Sequence, residues 1–171
     1  MNLDNLKYIE VQHKDKTYYK LVDPSNNAVI IKTTILYCPF GLDNFKDNYT
    51  IKLEFNNLCN QLQKKLKNLL EDIDKKNIKF LNCKKKNYKN TIKKNKRYSD
   101  ITVKIKTKNN RPICNVNFMN KKKDYLKTIY ELGKRIYLSC DIELGLIWKQ
   151  ELNEEEIYGM TLLTNNIFIK N

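Results

Sequence analysis

Residues 49–55 read Tyr49-Thr50-Ile51-Lys52-Leu53-Glu54-Phe55, a strict alternation of apolar and polar side chains. Successive side chains of a β-strand point to opposite faces, so this stretch predicts a strand with one buried face and one solvent face. The buried face would consist of Tyr49, Ile51, Leu53 and Phe55. Patterns on both sides of this strand predict the remaining elements.

A helical period begins directly after the strand, where apolar residues recur every three or four positions. We therefore predict an amphipathic helix from about residue 57 to residue 75. Charged residues lie off its apolar face, and we expect that face to pack against the core rather than against a partner. The apolar positions are Leu58, Leu62, Leu66, Leu69, Leu70 and Ile73.

The residues before the alternating strand are rich in β-forming side chains. Lys7–Val11 and Thr17–Val22 are predicted as short strands around a polar turn at residues 12–16. Ala28–Tyr37 is a long β-branched run that ends at Cys38-Pro39-Phe40-Gly41, because Pro cannot donate to a strand ladder and Gly permits the bend.

A second alternating stretch predicts a hairpin with a basic outer face. The turn at residues 109–112 would join the strand at residues 98–108 to a partner at Ile113–Phe118. The inward positions of the first strand are Ile101, Val103 and Ile105. The outward positions are Thr102, Lys104, Lys106 and Lys108.

The last third of the chain predicts one more helix and two strands. The helix is expected within Lys121–Arg135, and the strands are Arg135–Trp148 and Tyr158–Lys170, separated by an acidic connector at residues 151–156. The apolar positions of that helix are Tyr125, Ile129 and Leu132. For Trp148 we expect packing in the core, with stacking on a base as the alternative, and we expect bulges or bends at Gly145 and Gly159.

Positive charge is concentrated in one third of the chain. Residues 75–127 contain nineteen Lys or Arg against Asp100 and Asp124, a local charge of +17 in a protein whose total is +14. Neutralising phosphates releases counterions, so such a segment is typical of a protein that binds a polyanion. Solvated lysines from an AT-rich genome are the alternative explanation. Aromatic faces beside lysines favour single-stranded nucleic acid, and this segment contains Tyr88, Tyr98, Phe118 and Tyr125.

Residues 84–97 hold eight basic residues and no acid. Self-repulsion and few apolar side chains predict a flexible loop that a ligand would order. Tyr88 has no apolar neighbours in this loop, so we expect its ring to contact the ligand. For Tyr98, both stacking on a base and packing under the strand stay open.

The basic strand and the basic loop together define the candidate DNA-binding residues. A groove would be bordered by the basic residues of residues 104–111, and the 84–97 loop would close over it. With only three Arg among 33 basic residues, contacts to phosphates should dominate and sequence preference should be weak. The full set is Lys84, Lys85, Lys86, Tyr88, Lys93, Lys94, Lys96, Arg97, Tyr98, Lys104, Lys106, Lys108 and Arg111.

The composition gives little support for catalytic or metal chemistry. The five Cys are widely spaced, and the only His, His13, lies in a polar turn, so we predict neither a zinc site nor a Cys-His nucleophile. Four scattered Gly cannot form a phosphate-binding loop. Asp141, Glu143 and the acidic residues of 151–156 are expected to be surface carboxylates rather than a nuclease centre. We expect no enzyme activity, no cofactor and no metal.

Taken together, these patterns predict one mainly β domain over residues 1–171 with a capping α-helix. We expect a five-stranded oligonucleotide-binding (OB) barrel with one amphipathic helix and extra hairpin strands, because the strand face and loops of that barrel accept single strands.

Three motifs occur in an order that resembles a known family. They are Cys38-Pro39-Phe40-Gly41-Leu42 before the alternating strand, the lysine-bearing strand at 98–108, and a terminal pair. The terminal pair is Ile142-Glu143-Leu144-Gly145-Leu146-Ile147-Trp148 and Tyr158-Gly159-Met160-Thr161-Leu162-Leu163. Over about residues 20–170 this order resembles the phage-type single-stranded-DNA-binding proteins of nucleocytoplasmic large DNA viruses. In that family a Pro-Phe-Gly turn and a Trp…(Tyr/Phe)-Gly hairpin frame an oligonucleotide-binding barrel.

The resemblance implies a non-catalytic protein that coats exposed DNA strands during viral replication, recombination and repair, largely independent of sequence. Reduced, widely spaced thiols and the absence of a signal-like N-terminus favour an intracellular reducing compartment, namely the host cytoplasm, a viral factory or the nucleus. Members of the wider family commonly end in an acidic tail that recruits replication partners. This sequence ends in residues 167–171 without one, so we expect no recruitment through such a tail.

Two other functions stay open at this point. One is an RNA-binding or ribosome-associated module, because residue types alone do not separate DNA from RNA. The other is a structural protein that condenses DNA through charge alone. Single-stranded DNA is the expected partner, and RNA, replication proteins and a second copy of the chain are further candidates. A membrane is not expected, since no stretch approaches the roughly 20 apolar residues of a span.

Overall fold

The computed structural model describes residues 1–13, 16–55, 60–119 and 128–170. Within them the chain is mostly β-strand with a single α-helix, α1 (Gln61–Phe80). The strands are β1 (Lys7–His13), β2 (Lys16–Val22), β3 (Ile30–Lys32), β4 (Leu36–Cys38), β5 (Leu42–Phe45), β6 (Asn48–Phe55), β7 (Tyr88–Lys89), β8 (Ile92–Lys94), β9 (Ser99–Ile105), β10 (Thr107–Lys108), β11 (Arg111–Pro112), β12 (Asn115–Phe118), β13 (Ile136–Leu152) and β14 (Glu155–Lys170). The predicted class, mainly β with one α-helix, is confirmed.

The strand pairings form a closed cycle. β13 pairs with β4, β4 with β6, β6 with β9, β9 with β14, and β14 pairs back with β13; of these only the β9–β14 contact is parallel. Seven further strands attach to this cycle, so the described sheet has twelve strands, many more than the predicted five. The predicted strand Ala28–Tyr37 is divided into β3 and β4, both of which pair with β13.

The cycle is closed by the long antiparallel hairpin of β13 and β14. Its register runs from Tyr137↔Lys170 to Leu152↔Glu155, with irregularities at Cys140/Ile142 and Leu144/Ile147. Such irregularities bend a strand and increase its twist, which lets one hairpin contact several neighbours. The prediction of an acidic connector at 151–156 was wrong. Residues 151, 152, 155 and 156 pair in the ladder, and only Asn153 and Glu154, both with positive φ, form the turn.

The alternation in the central strands is confirmed. Tyr49, Ile51, Leu53 and Phe55 of β6 are buried, and their β9 neighbours Ile101, Val103 and Ile105 are fully buried. The register Ile51↔Val103 and Leu53↔Ile101 places these apolar side chains side by side inside the cycle. Burial of these side chains therefore accounts for the central part of the core.

Helix α1 begins and ends later than predicted. Asn60 accepts a hydrogen bond from the Gln63 amide at 2.9 Å, which starts the helix at Gln61. Leu62 consequently lies in the first turn and is 60% exposed, so the predicted apolar stripe was wrong at this position. Leu66, Leu70 and Ile73 are buried as predicted, whereas Leu58 lies outside the described residues. In the described part of the chain, no helix is long and apolar enough to cross a membrane.

The hairpin predicted for residues 98–118 is mostly absent. Asn109 and Asn110 adopt positive φ and close only the two-residue pairing of β10 and β11. Strand β12 instead lies parallel to β14, with Val116 opposite Ile167. Of the second helix predicted within Lys121–Arg135, residues 121–127 lie outside the described residues, Tyr125 included. Its described part is a single 3-10 turn, Ile129–Glu131, and Ile129 and Leu132 are buried.

Within residues 84–97, where we predicted a flexible loop, the structure has two short strands. Strand β7 pairs with β14, and β8 pairs with β9 through Ile92↔Ile101. Two side chains of this segment, Tyr88 and Ile92, are buried and hold the segment against the rest of the fold. The Asp74 carboxylate of α1 also accepts hydrogen bonds from the Thr91 amide and hydroxyl, at 2.7 and 2.6 Å. Burial raises the pKa of this carboxyl group.

Trp148 and Gly159 lie opposite each other in the β13–β14 ladder. The Trp148 ring is half-buried and covers Gly159, so the prediction that Trp148 packs in the core was wrong. Gly159 pairs in regular register rather than at a bulge, whereas Gly145 lies within the irregularity between Leu144 and Ile147, as predicted.

Gly159→Ala should destabilise the fold by about 1–3 kcal/mol, because a Cβ at this position would overlap the Trp148 ring. The matched control is Gly133→Ala, where the nearest atom to an added Cβ is Ile136 Cγ2 at 3.9 Å. This control should change the free energy of unfolding by less than about 0.5 kcal/mol. Chemical denaturation measures both, and equal effects would contradict the close contact between Trp148 and Gly159.

Candidate nucleic-acid interface

The outward side chains of the central strands form one continuous surface. Because Tyr49, Ile51, Leu53 and Phe55 point inward, the alternate residues of β6 point outward, and the strand register extends this set to its neighbours. We call this surface the outer face. It consists of Tyr37 from β4, Thr50, Lys52 and Glu54 from β6, Lys93 from β8, and Asp100, Thr102 and Lys104 from β9.

An open groove of about 520 Å³ crosses the outer face. Its floor is formed by Thr50 and Lys52 of β6 and Thr102 of β9, with Lys52 opposite Thr102 in register. One side is formed by residues 40–43, and Lys134 also lines the groove. The floor of the groove is therefore polar and basic, and the side formed by residues 40–43 presents the apolar Phe40 and Leu42 together with the acidic Asp43.

The side formed by residues 40–43 is held by a tight turn. Gly41 has φ +71°, and an added Cβ would meet the Leu132 and Gly133 carbonyl oxygens at 2.8 and 2.9 Å. A backbone hydrogen bond also joins this turn to the residue before β13, because the Arg135 amide donates to the Pro39 carbonyl at 3.1 Å. Glycine alone fits this position, and the result is that Phe40 projects outward with 56% of its surface exposed.

Lys52, on the floor of the groove, lies close to two aromatic rings. Its Nζ is 5.8 Å from the Phe40 ring centroid and 5.1 Å from the Tyr98 ring centroid. The same ammonium is 3.3 Å from Asp100 Oδ2. Burial alone would lower the pKa of Lys52, but the charge and hydrogen bond of Asp100 outweigh it and raise the pKa. Lys52 therefore keeps its positive charge at neutral pH.

Asp100 organises the hairpin next to the groove. Its side chain is only 1% exposed, and Asn95 Nδ2 donates to Oδ2 at 2.7 Å. The hairpin between β8 and β9 is closed by the Asn95 amide donating to the Tyr98 carbonyl at 2.9 Å. Lys96 and Arg97 lie exposed at its tip, and Lys93 is opposite Asp100 on the outer face.

Five of the predicted binding residues thus lie on or beside the outer face: Lys93, Lys96, Arg97, Tyr98 and Lys104. Lys104 donates to Asn48 Oδ1 at 2.8 Å, at the start of β6. Tyr98 is half-buried, so part of its side chain packs against the protein. Its ring also contacts Lys52 on the floor of the groove. These five residues share this surface because they belong to the β8–β9 hairpin and to strand β9 itself.

Tyr88 is the clearest correction among the predicted residues. It is only 4% exposed, and its hydroxyl accepts a hydrogen bond from Asn77 Nδ2 at 2.8 Å. Tyr8 donates to the Asn77 Oδ1 atom at 2.9 Å, which completes a buried polar contact between α1, β1 and β7. Burial raises the pKa of Tyr88. Its ring is part of the core and is not offered to a ligand.

Other predicted basic residues lie elsewhere or are paired. Lys94 forms an ion pair of 3.0 Å with Glu71 on α1. Lys84, Lys85 and Lys86 are exposed at the end of α1, where Lys86 is 2.6 Å from Glu155 in the acidic hairpin tip. Lys108 and Arg111 are opposite each other and exposed in the small β10–β11 hairpin.

Among the described residues Lys106, unlike Lys104, is neutralised by an ion pair. Its ammonium and that of Lys20 both contact Glu143, the Lys20 contact being 2.9 Å. Burial alone would raise the pKa of Glu143, but hydrogen bonds from Lys106 and Lys20 outweigh it and lower the pKa. The predicted alternation fails here because β9 ends at Ile105.

Sequence reasoning missed Phe40, Lys52 and Lys134 as interface residues. Lys52 occupies an outward position of the strand that decided the fold, and Phe40 lies in the Pro-Phe-Gly turn that precedes that strand. An outward lysine in a strictly alternating strand was therefore the available signal. Lys134 had no comparable signal, because only the approach of residues 132–133 to Gly41 brings it to the groove.

Metal chemistry has no site in the described parts of the chain, where no three His, Cys, Asp or Glu side chains lie together as metal ligands could. The four cysteines within these parts, Cys38, Cys83, Cys114 and Cys140, are free thiols.

The fold is similar to that of two phage proteins. The crystal structure of gp2.5, a single-stranded DNA binding protein encoded by bacteriophage T7, matches with a TM-score of 0.55 and 10% identity, over 85% of this chain and 87% of that chain. The single-stranded DNA-binding protein from bacteriophage Enc34, as a C-terminal truncation, gives 0.52 and 18%, over 96% and 94%. The Enc34 protein in complex with ssDNA gives 0.52 and 17%, over 95% and 94%.

These identities establish a shared fold and nothing further. No protein-family model and no curated protein matches the chain. The phage-type fold expected from the order of the motifs is nevertheless the fold that the structural neighbours have.

Lys106→Glu should lower the free energy of unfolding by about 1–2 kcal/mol, because the new carboxylate would lie against the largely buried Glu143. Lys104→Glu should cost less than about 0.5 kcal/mol, since Lys104 is half-exposed and forms no ion pair among the described residues. Thermal or chemical unfolding compares the two variants. Equal stability would mean that Lys106 and Lys104 share one solvent face after all.

Proposed function

We propose that this protein is a non-catalytic single-stranded-DNA-binding protein. The observation that supports this most directly is Lys52, which lies beside the Phe40 and Tyr98 rings on the floor of an open groove and is oriented there by the buried Asp100. A cation for the backbone beside aromatic faces for the bases is the combination that single-strand binding uses.

The fold supports the same proposal. The structural neighbours are single-stranded-DNA-binding proteins, and the Enc34 protein has been solved in complex with ssDNA. We propose that the closed cycle of β13, β4, β6, β9 and β14 is an oligonucleotide-binding barrel whose outer face holds the strand. We also propose that the protein coats DNA strands exposed during viral replication, recombination and repair, a role supported by the phage origin of these neighbours.

The arrangement of charge favours binding without strong sequence preference. The outer face and its adjoining hairpin present lysines, which contact phosphates as point charges, and only one Arg, Arg97. Lys96, Arg97 and Lys104 are not neutralised by any ion pair among the described residues. Phosphate contacts position a strand but carry no sequence information.

Competition binding with oligo-dT, oligo-U and duplex DNA tests the proposal directly. We expect oligo-dT to bind more tightly than duplex, because paired bases cannot stack on Phe40. Preference for oligo-U would favour the RNA-binding alternative. Equal binding of single-stranded and duplex DNA would favour condensation through charge alone and would overturn the proposal.

Affinity for oligo-dT should fall steeply with salt. If about five phosphates are neutralised, the slope of log K against log salt should be about −3.5, at about 0.7 per phosphate for single strands. Fluorescence titration over a series of salt concentrations measures the slope. A flat dependence would exclude the phosphate contacts.

Phe40→Ala should weaken oligo-dT binding by about 1–3 kcal/mol if a base stacks on this ring, with little effect on stability because the side chain is exposed. Leu62→Ala is the matched control, since Leu62 is similarly exposed but lies on α1. Wild-type affinity in the Phe40 variant would remove Phe40 from the interface.

A further inference from the structure

The outer face continues beyond the groove into a pair of tyrosines. Tyr37 of β4 lies opposite Tyr137 of β13 in the strand register, with ring centroids 5.2 Å apart and an interplanar angle of 44°. Tyr137 is 49% exposed. The neighbouring pair Leu138↔Leu36 is fully buried, so both tyrosines point outward.

A carboxylate lies directly beside this pair. Tyr37 is opposite Glu54 in the β4–β6 register, which brings their Cβ atoms to about 5 Å. Glu54 and Lys52 are two residues apart on one face of β6, about 7 Å along the strand. The tyrosine pair, Glu54 and the groove therefore form one continuous track.

Glu54 differs from the other carboxylate at the centre of the outer face. Asp100 forms an ion pair with Lys52 and accepts a hydrogen bond from Asn95. Glu54 forms no ion pair or side-chain hydrogen bond among the described residues. It is half-exposed, so its oxygens are accessible beside the tyrosines. A free carboxylate repels phosphates, which excludes the strand's backbone from this position and leaves it to a base.

We propose that Tyr37, Tyr137 and Glu54 form a subsite for an amino-bearing nucleobase, a proposal that rests on the single-strand binding proposed above. A base stacked on the tyrosine pair has its edge toward Glu54, which lies opposite Tyr37. The carboxylate accepts a hydrogen bond from an exocyclic amino group such as cytosine N4. It repels the O4 acceptor that uracil and thymine carry at the same position.

We expect the protein to prefer one kind of base at this subsite, although it otherwise binds single strands with little dependence on sequence. Oligo-dC and oligo-dU of equal length differ at C4, where one carries an amino group and the other a carbonyl oxygen. The wild type should bind oligo-dC about tenfold more tightly than oligo-dU at neutral pH. Glu54→Gln should bring this ratio close to one, because an amide both accepts from N4 and donates to O4.

The ratio separates base reading from general charge effects. Glu71→Gln, on α1 and paired with Lys94, removes the same charge away from the outer face and should keep the tenfold preference. Tyr137→Ala should weaken both oligonucleotides and reduce the ratio, since the base is no longer held beside Glu54. Thermal unfolding confirms that each variant is folded.

Three results would contradict these expectations in distinguishable ways. A wild-type ratio of one, with both oligonucleotides bound, would overturn the subsite alone. A ratio that survives Glu54→Gln would also overturn it, because the preference would then arise elsewhere. Binding of neither oligonucleotide would instead overturn the proposed single-strand function on which the subsite rests.

Discussion

The hydrogen-bonded ladder between β13 and β14 is the interaction on which the rest of the fold depends. Between them these two strands pair with β2, β3, β4, β7, β9 and β12. Because the hairpin bends at two irregularities, different segments of it face different neighbours. Without this ladder the β4–β6–β9 strands would form an open sheet, and their inward side chains would be exposed to water.

Closure of that cycle separates the core from the candidate interface. Side chains alternate across a strand, so burying Ile51, Leu53 and Val103 obliges Lys52 and Thr102 to face solvent. The outer face is thus a consequence of how the core is packed. Only its details, such as the position of Phe40, depend on a separate constraint, the close approach of Gly41 to residues 132–133.

Acidic residues determine which of the many lysines remain available. Glu71, Glu143 and Glu155 pair with Lys94, Lys106 and Lys86, respectively. These pairs join elements that are far apart in sequence and reduce the free positive charge away from the groove. Lys96, Arg97 and Lys104 keep theirs. The fold therefore pairs some lysines of the basic segment with carboxylates, while Lys96, Arg97 and Lys104 stay unpaired among the described residues, on or beside the outer face.

The sequence by itself determined the local elements and their inward faces. Alternation fixed which side chains of β6 and β9 are buried, since a period of two needs no knowledge of distant residues, and the leucine spacing located most of α1. Only the tertiary structure decided the partners. The burial of Tyr88 beside β14, the pairing of Lys106 with Glu143 and the parallel placement of β12 on β14 all join residues more than 30 positions apart. Such contacts depend on how the strands close, and a local pattern contains no information about closure. For the same reason the sequence placed Tyr98 and Lys104 in the candidate set but left out Phe40 and Lys134, which line the groove.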